Sequence, residues 1–487
     1  MTLDLLIIGG GINGCAIARE AALNGLSVLL VEKDDLAAHT SSASTKLIHG
    51  GLRYLEYYEF ALVREALQER ERLLKAAPHL IRPLRFVLPH EHAVRPWWLV
   101  RLGLLLYDWI GGKISLKRSR GLRADDDAYR APLKNPGKGF VYSDCAVDDS
   151  RLTLANAIDA ADQGAEIATR TALLSARRTD GVWSAALSDG RTVTARALVN
   201  AAGPWVATVQ ASLGTDARAH VRLIKGSHIV VPRLYAGDHA YMLQQPDRRI
   251  VFAIPWQDGF TMIGTTDVAV ERPEDAVIDA AETAYLLECA NRHFTAQIAA
   301  ADILSSWSGV RPLYDDGASE SKAVTRDYVL ELDTAGAPLL SVFGGKITTA
   351  RHLAEEALEK LGPSLGIAPH PVTRARVFPG GAIADMGRFV AEANARWPFL
   401  GEARAARMAH AYGIRLHEML AEVEDEAAMG RAYGAGFTEI EARWMHAQEW
   451  AETPEDCLMR RSRLGLHLTA QERTAFEQDW PRIANVC

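Results

Sequence analysis

Near the start of the chain, Gly9-Gly10-Gly11-Ile12-Asn13-Gly14 has the G-x-G-x-x-G spacing. Gly9 permits a tight turn, Gly11 lets the backbone approach a diphosphate, and Gly14 lets the following helix pack against the strand behind it. Glu32 closes the next apolar run, Ser27 to Val31. A carboxylate at that strand tip accepts both hydroxyls of an adenosine ribose and disfavours a 2′-phosphate. Gly9, Gly11, Asn13, Gly14 and Glu32 are therefore the expected dinucleotide contacts. Thr40, Ser41, Ser42, Ser44, Thr45 and Lys46 follow as donors for a diphosphate or a ring edge. Gly203 ends a later apolar strand among small residues that allow close approach of a cofactor. A second glycine turn, Gly344-Gly345, leads through Lys346 into a helix that opens near Thr348. A nicotinamide enzyme has no need of this second turn. Backbone donors at a helix N-terminus, aimed at the pyrimidine end of an isoalloxazine, would stabilise the anion of a reduced flavin.

These groups have to be held by a parallel sheet. Leu5-Leu6-Ile7-Ile8 is an unbroken apolar run, which suits a strand buried on both faces. The helix after it stops at Asn24-Gly25, and a second helix spans Phe60 to Ala77. Asp149 to Gln163 reads as a helix, and Ser188-Asp189-Gly190-Arg191 as a hairpin turn. Arg222–Pro232, Tyr241–Gln244, Ile250–Pro255 and Thr261–Thr266 read as a separate antiparallel sheet roofing the cofactor, followed by a helix over Ala280–His293. A helix from about Thr348 to Leu361 is expected to stop at Gly362-Pro363. Gly387 to Trp480 is helical in pattern and lacks strands; Thr453-Pro454-Glu455-Asp456 is a helix-start signal within it.

The chain has 487 residues, 48% apolar and 24% charged, with a net charge of −7; two or three domains are expected, and no global basic field points to nucleic acid. Five scattered cysteines form no C-x-x-C pair, which fits a reducing compartment and speaks against structural zinc or an iron–sulfur cluster; no metal site is expected. The N-terminus enters a strand at once, which argues against a signal peptide, and no apolar run approaches the ~20 residues of a membrane span. Trp97 to Ile110, followed by Lys113, Lys117, Arg118, Arg120 and Arg123, has the composition of a segment lying in a membrane interface; a buried helix with a solvated basic tail is the plainer alternative.

The glycine turn with Glu32, the run Thr40 to Tyr54, Ile224–His228, Ile263–Asp267, Ser308–Leu313 with Thr325–Tyr328, Ser341–Thr349 and Arg460–Gly465 together resemble the FAD-dependent glycerol-3-phosphate dehydrogenases, in their aerobic bacterial form. The resemblance covers nearly the whole chain. It implies an α/β, glutathione-reductase-like FAD-binding fold with an antiparallel-sheet substrate domain and a C-terminal helical domain. The expected partition is residues 1–84, 139–215 and 339–366 for FAD, 85–138 and 216–338 for the substrate or cap domain, 367–384 as linker, and 385–487 as the helical domain. It implies oxidation of sn-glycerol 3-phosphate to dihydroxyacetone phosphate, with hydride to flavin N5 and electrons to ubiquinone or menaquinone. The expected location is peripheral, on the cytoplasmic side of the inner membrane, and a homodimer is allowed. Arg311 and Arg326 are the expected phosphate clamp, since guanidinium forks bind phosphate bidentately. Arg53, Tyr54 and Lys346 are expected beside the substrate. His49, which also stands in reach of flavin, is the first candidate for the base, with His228 second; Arg53 and Arg311 complete the catalytic set. Two alternatives remain open: an oxidase of glycerol 3-phosphate that uses O2, and a flavin- or nucleotide-binding regulator without turnover.

Overall fold

The structure is a computed structural model that describes residues 2–93, 95–215, 220–315 and 328–485. The strand Thr2–Ile8 lies at the centre of an eight-stranded sheet and pairs in parallel with Val28–Val31 and Thr192–Asn200. Glu166–Ala168 extends one edge and Leu339–Phe343 the other, both parallel, with Val329–Asp333 antiparallel outside. Why the first strand is apolar without alternation is visible in its two neighbours. Leu5 and Ile7 pack with Ile17, Leu154 and Leu353 from the helices Ile12–Leu23, Asp149–Asp162 and Ala350–Leu365. Leu6 and Ile8 pack with Trp183, Ala185 and Leu187 of the hairpin strand Val182–Leu187. Both faces are covered, so both sets of residues are apolar.

The second sheet has ten strands. His220–Pro232 is its spine and pairs antiparallel with Phe260–Gly264 and Ser305–Asp315. Ile250–Trp256 and Ala240–Gln244 continue the antiparallel run, and Ile81–Pro89 then joins in parallel. The strand Gly139–Val147, assigned from sequence to the cofactor domain, pairs with Ile81–Pro89 in this second sheet, and Leu47–Ile48 pairs with the other edge of Gly139–Val147. All nine residues of Gly139–Val147 are buried. Which sheet a strand joins is decided by its neighbours, which its own residues do not name.

Two further expectations are corrected. The helix Ala350–Leu365 runs through Gly362-Pro363 and stops only at Gly366, which is left-handed (φ 71°). Gly362 serves close packing: a Cβ there would lie 2.9 Å from Pro369 Cδ. The C-terminal domain is helical around its own core, but it contains a short hairpin, Ala432–Gly434 with Phe437–Thr438, turned by Gly434-Ala435-Gly436 with positive φ throughout. The helix start at Thr453 is as read, with Thr453 and Asp456 each accepting from the other's backbone N–H.

Buried ion pairs fasten that domain to the cofactor sheet. Arg461 donates two bonds to Asp35, at 2.6 and 2.7 Å, with both side chains 2% exposed. Arg151 pairs with Glu449, and Arg463 with Asp148 and Asp149. Removing one partner of such a pair strands a buried charge. Arg461→Ala is therefore expected to destabilise the protein by about 3–5 kcal/mol, read as a shift of the denaturant midpoint.

Candidate active site

The two glycine turns meet. Gly9 takes φ 112°, and a Cβ there would lie 2.5 Å from Ala201 O. Gly14 admits no Cβ either, because one would lie 1.9 Å from Gly9 O. Asn13, on the first helical turn, donates to Gly344 O at 3.1 Å, and a Cβ on Gly345 would run into the same Asn13 amide. Glu32, at its strand tip, accepts from Gly10 N (2.6 Å) and Asp34 N (2.9 Å). Gly203 has φ 55° with open space on its Cβ side, and Thr348 is buried beside the second turn.

The residues present fit a bound dinucleotide flavin. Asn13 Oδ1 and Lys346 Nζ are buried atoms with no hydrogen-bond partner, one in each glycine turn. A buried ammonium and a buried carbonyl without partners are costly, and a polar, partly anionic group between the turns would satisfy both. The hydroxyl run behaves differently from the expectation of outward donors. Thr40 donates to Val310 O, Ser41 accepts from Ile12 N, Ser44 donates to Asp149, and Thr45 bonds His228 Nε2. Ser42 Oγ donates to His39 O. Most of these side chains thus shape the loop. Lys46 is spent in the same way: its ammonium holds Asp149 and Ser42 O, and burial lowers its pKa to about 8.

A cavity of about 120 Å3 brings together His49, Arg53, Tyr54 and Arg311 from the expected set. Gly51 (φ 71°) turns the chain into the short 3-10 helix Leu52–Tyr57, which carries Arg53 and Tyr54. Arg311, on the strand Ser305–Asp315, reaches across the sheet to Thr265 (3.0 Å) and Asp267 (3.3 Å). Gly226 makes room for it: a Cβ there would lie 2.4 Å from Arg311 Nη2. Lys346 Nζ lies 4.4 Å from the centre of the Tyr54 ring. Gly51 N donates to His49 Nδ1 at 3.1 Å. Arg326 lies outside the described residues.

The cavity also holds Arg249 and Asp144, which were not singled out from sequence, and Thr265 and Asp267 of the Ile263–Asp267 run, to which no role was given. Arg249 sits at the end of the Gln245–Arg249 turn, over the Tyr285 ring and paired with Asp247; a basic pair in a hairpin loop was its one sequence signal. A larger cavity, about 330 Å3, is lined by Thr40, Ser42, Trp205, Trp307 and Arg463 and contains none of the expected substrate-binding side chains.

His228 is corrected as a base. It is 1% exposed, stacks on Trp307 and does not line the substrate cavity. Burial first, then Arg311 and Lys46, push its pKa down to about 3, so it accepts a proton poorly. It packs under Gly264, where a Cβ would collide with its ring, and bonds Thr45 through Nε2, while its Nδ1 is buried without a hydrogen-bond partner.

The fold and the paired glycine turns define a flavin-binding oxidoreductase. A family profile described as FAD dependent oxidoreductase matches residues 4–351, and one described as the C-terminal domain of alpha-glycerophosphate oxidase matches residues 371–480. The chain belongs to the FAD-dependent oxidoreductase family. Within that family it is 52% identical to a glycerol-3-phosphate dehydrogenase of Pseudomonas aeruginosa, over 98% of this chain and 94% of the relative. It is 49% identical to a D-erythritol 1-phosphate dehydrogenase of Brucella abortus, over 100% and 99%. The crystal structure of the glycerol-3-phosphate dehydrogenase from Bacillus halodurans, complexed with FAD, superimposes with a TM-score of 0.75 at 26% identity, covering 100% of this chain and 95% of that one. The expected fold class and FAD as cofactor stand on these findings.

The buried histidines make stability depend on pH. Burial lowers His79 and His228 to about 3 and His239 and His293 to about 4. The unfolded chain, with histidines near 6.5, binds more protons than the folded one as pH falls below that value. Stability from these groups is full above about pH 6.5 and is lost as pH falls toward 4. Urea midpoints should fall between pH 7.5 and pH 5, and His228→Gln should make that fall smaller.

Proposed function

We propose that this enzyme oxidises sn-glycerol 3-phosphate at carbon 2 to dihydroxyacetone phosphate. The observation that carries this reading is the small cavity in which a histidine faces a set of arginines beside the junction of the two glycine turns. FAD, when bound, supplies the hydride acceptor, and a membrane quinone is the proposed final acceptor. Arg311 binds the phosphate through its fork, with Arg53 and Arg249 as further cations at the same cavity and Arg326 a further member of the clamp. Thr265 and Asp267 hold the Arg311 guanidinium in place, so the fork is oriented before substrate arrives. Lys346 and Tyr54 flank the junction with the second glycine turn.

His49 is the proposed base for the carbon-2 hydroxyl. Its Nδ1 accepts from Gly51, which places the ring proton on Nε2 when no substrate is bound. Gly9, Gly11, Asn13, Gly14, Glu32, Ser41, Gly203, Gly344, Gly345 and Thr348 are proposed to line the FAD site.

The 49% identity to a D-erythritol 1-phosphate dehydrogenase favours a second reading, a longer phosphorylated polyol in the same cavity. The match of the C-terminal domain to that of an oxidase keeps O2 as an alternative acceptor. Membrane contact is supported by the helix Trp97–Ile110. Its Trp98, Leu102 and Trp109 are 64%, 55% and 58% exposed, and Arg118 lies over the Trp109 ring. Among the described residues no helix is long and apolar enough to cross a membrane, so this face would lie in the interface.

Under nitrogen, glycerol 3-phosphate should bleach the flavin absorbance of the purified protein. Bleaching by D-erythritol 1-phosphate alone would move the assignment to the longer substrate, and peroxide release in air without quinone would make the enzyme an oxidase. His49→Gln should slow the reduction step by about 10²–10⁴-fold at unchanged flavin content. Trp98→Asp with Leu102→Asp should reduce co-sedimentation with anionic phospholipid vesicles; undiminished binding would place the contact elsewhere.

A further inference from the structure

The inner side of the Trp97–Ile110 helix presents a polar group to the chain beside the substrate cavity. Tyr107 is 2% exposed. Its hydroxyl accepts from Gly50 N at 2.8 Å and donates to Asp144, whose two carboxylate oxygens are each 2.9 Å away. Asp144 is fixed in turn by Arg70 at 2.7 Å, with both side chains buried. Burial and the Asp144 carboxylate raise the Tyr107 pKa well above its ordinary value, so the hydroxyl stays protonated and keeps both roles. The fit is tight: a Cβ on Gly50 would lie 2.8 Å from the Tyr107 oxygen and 2.5 Å from Leu67.

What hangs on that hydroxyl is the segment between the proposed base and the proposed substrate arginine. Gly50-Gly51 separates His49 from the 3-10 helix that carries Arg53 and Tyr54. Two consecutive glycines are the loosest linkage a chain offers, and they hold a unique geometry only when something external fixes them. Gly51 N donates to His49 within the same segment. The bond from Gly50 N to Tyr107 anchors the pair to a helix, and Asp144 and Arg70 brace the anchor from the second sheet and from the helix Phe60–Ala76.

We propose that Tyr107 is a positioning residue for the reaction: its hydroxyl pins the Gly50-Gly51 pair and so sets His49 relative to Arg53 and Tyr54. The proposal rests on the substrate reading above, but the tether can be measured without substrate. It also gives the surface helix two jobs, since the helix whose outer side is apolar and exposed holds the substrate site by its inner side.

The test compares the FAD-loaded wild type with Tyr107→Phe, which keeps the ring, and with Leu104→Ala, which removes packing from the same buried side of the helix but no hydrogen bond. Amide exchange over residues 47–55 should rise several-fold in Tyr107→Phe. Its rate constant for flavin reduction by glycerol 3-phosphate should fall about tenfold, at unchanged flavin content. Leu104→Ala should lose stability and keep the rate constant. An unchanged reduction rate in Tyr107→Phe overturns the proposal, and so does an equal loss in Leu104→Ala, which would reduce Tyr107 to packing. If glycerol 3-phosphate leaves the wild-type flavin oxidised, the substrate reading fails, and the exchange comparison alone then decides the tether: faster exchange supports it and unchanged exchange overturns it.

Discussion

The Asn13 amide, bonded to Gly344 O, ties together two turns that are separated by most of the chain. Gly14 must be bare within the first turn, where a Cβ would strike Gly9 O, and a Cβ on Gly345 would run into the Asn13 amide that makes the bond. The unpartnered Asn13 Oδ1 and Lys346 Nζ at that junction are the polar debt that a bound flavin would settle.

Around this junction the chain spends charge on rigidity. Asp149 takes Ser44, Lys46 and Arg463 together in a buried cluster, joining the hydroxyl loop to the C-terminal domain. Asp35 does the same with Arg460 and Arg461. Buried ion pairs are not an economical source of stability, since apolar residues of equal volume often do as well. They do constrain geometry, and here they constrain the loop that lies between the first glycine turn and the substrate cavity. A separate helical domain thereby bears on the site without contributing a residue to the substrate cavity.

The elements legible from sequence were those with local causes. The Phe60 helix, the Ala280–His293 helix with its Asp279–Glu282 capping box and the Ser188–Arg191 hairpin follow from periodicity, caps and turn residues. Where the reading went astray, a distant contact outweighed a local rule. Pro363 did not stop its helix: the chain folds back over this turn, with Ile367 N donating to Gly362 O and Pro369 packed on Gly362. The pairing of Gly139–Val147 with Ile81–Pro89 was not legible, because a strand's residues do not say which neighbour it pairs with.

The same division runs through the site. Residue type and spacing alone marked the turn after the first strand as a dinucleotide site, Glu32 as its expected ribose contact, and Gly344-Gly345 as a second glycine turn, because each is a property of a short stretch of backbone. They also marked His49, Arg53 and Arg311 as chemically able. Only the tertiary structure decided which of these meet. It buried His228 under Gly264 and took it out of acid–base reach, committed Lys46 to Asp149, brought Arg249 into the cavity and set Tyr107 beneath Gly50. Burial, and the pairing of groups far apart in the chain, depend on how sheets and helices close over one another, and no local pattern encodes that closure.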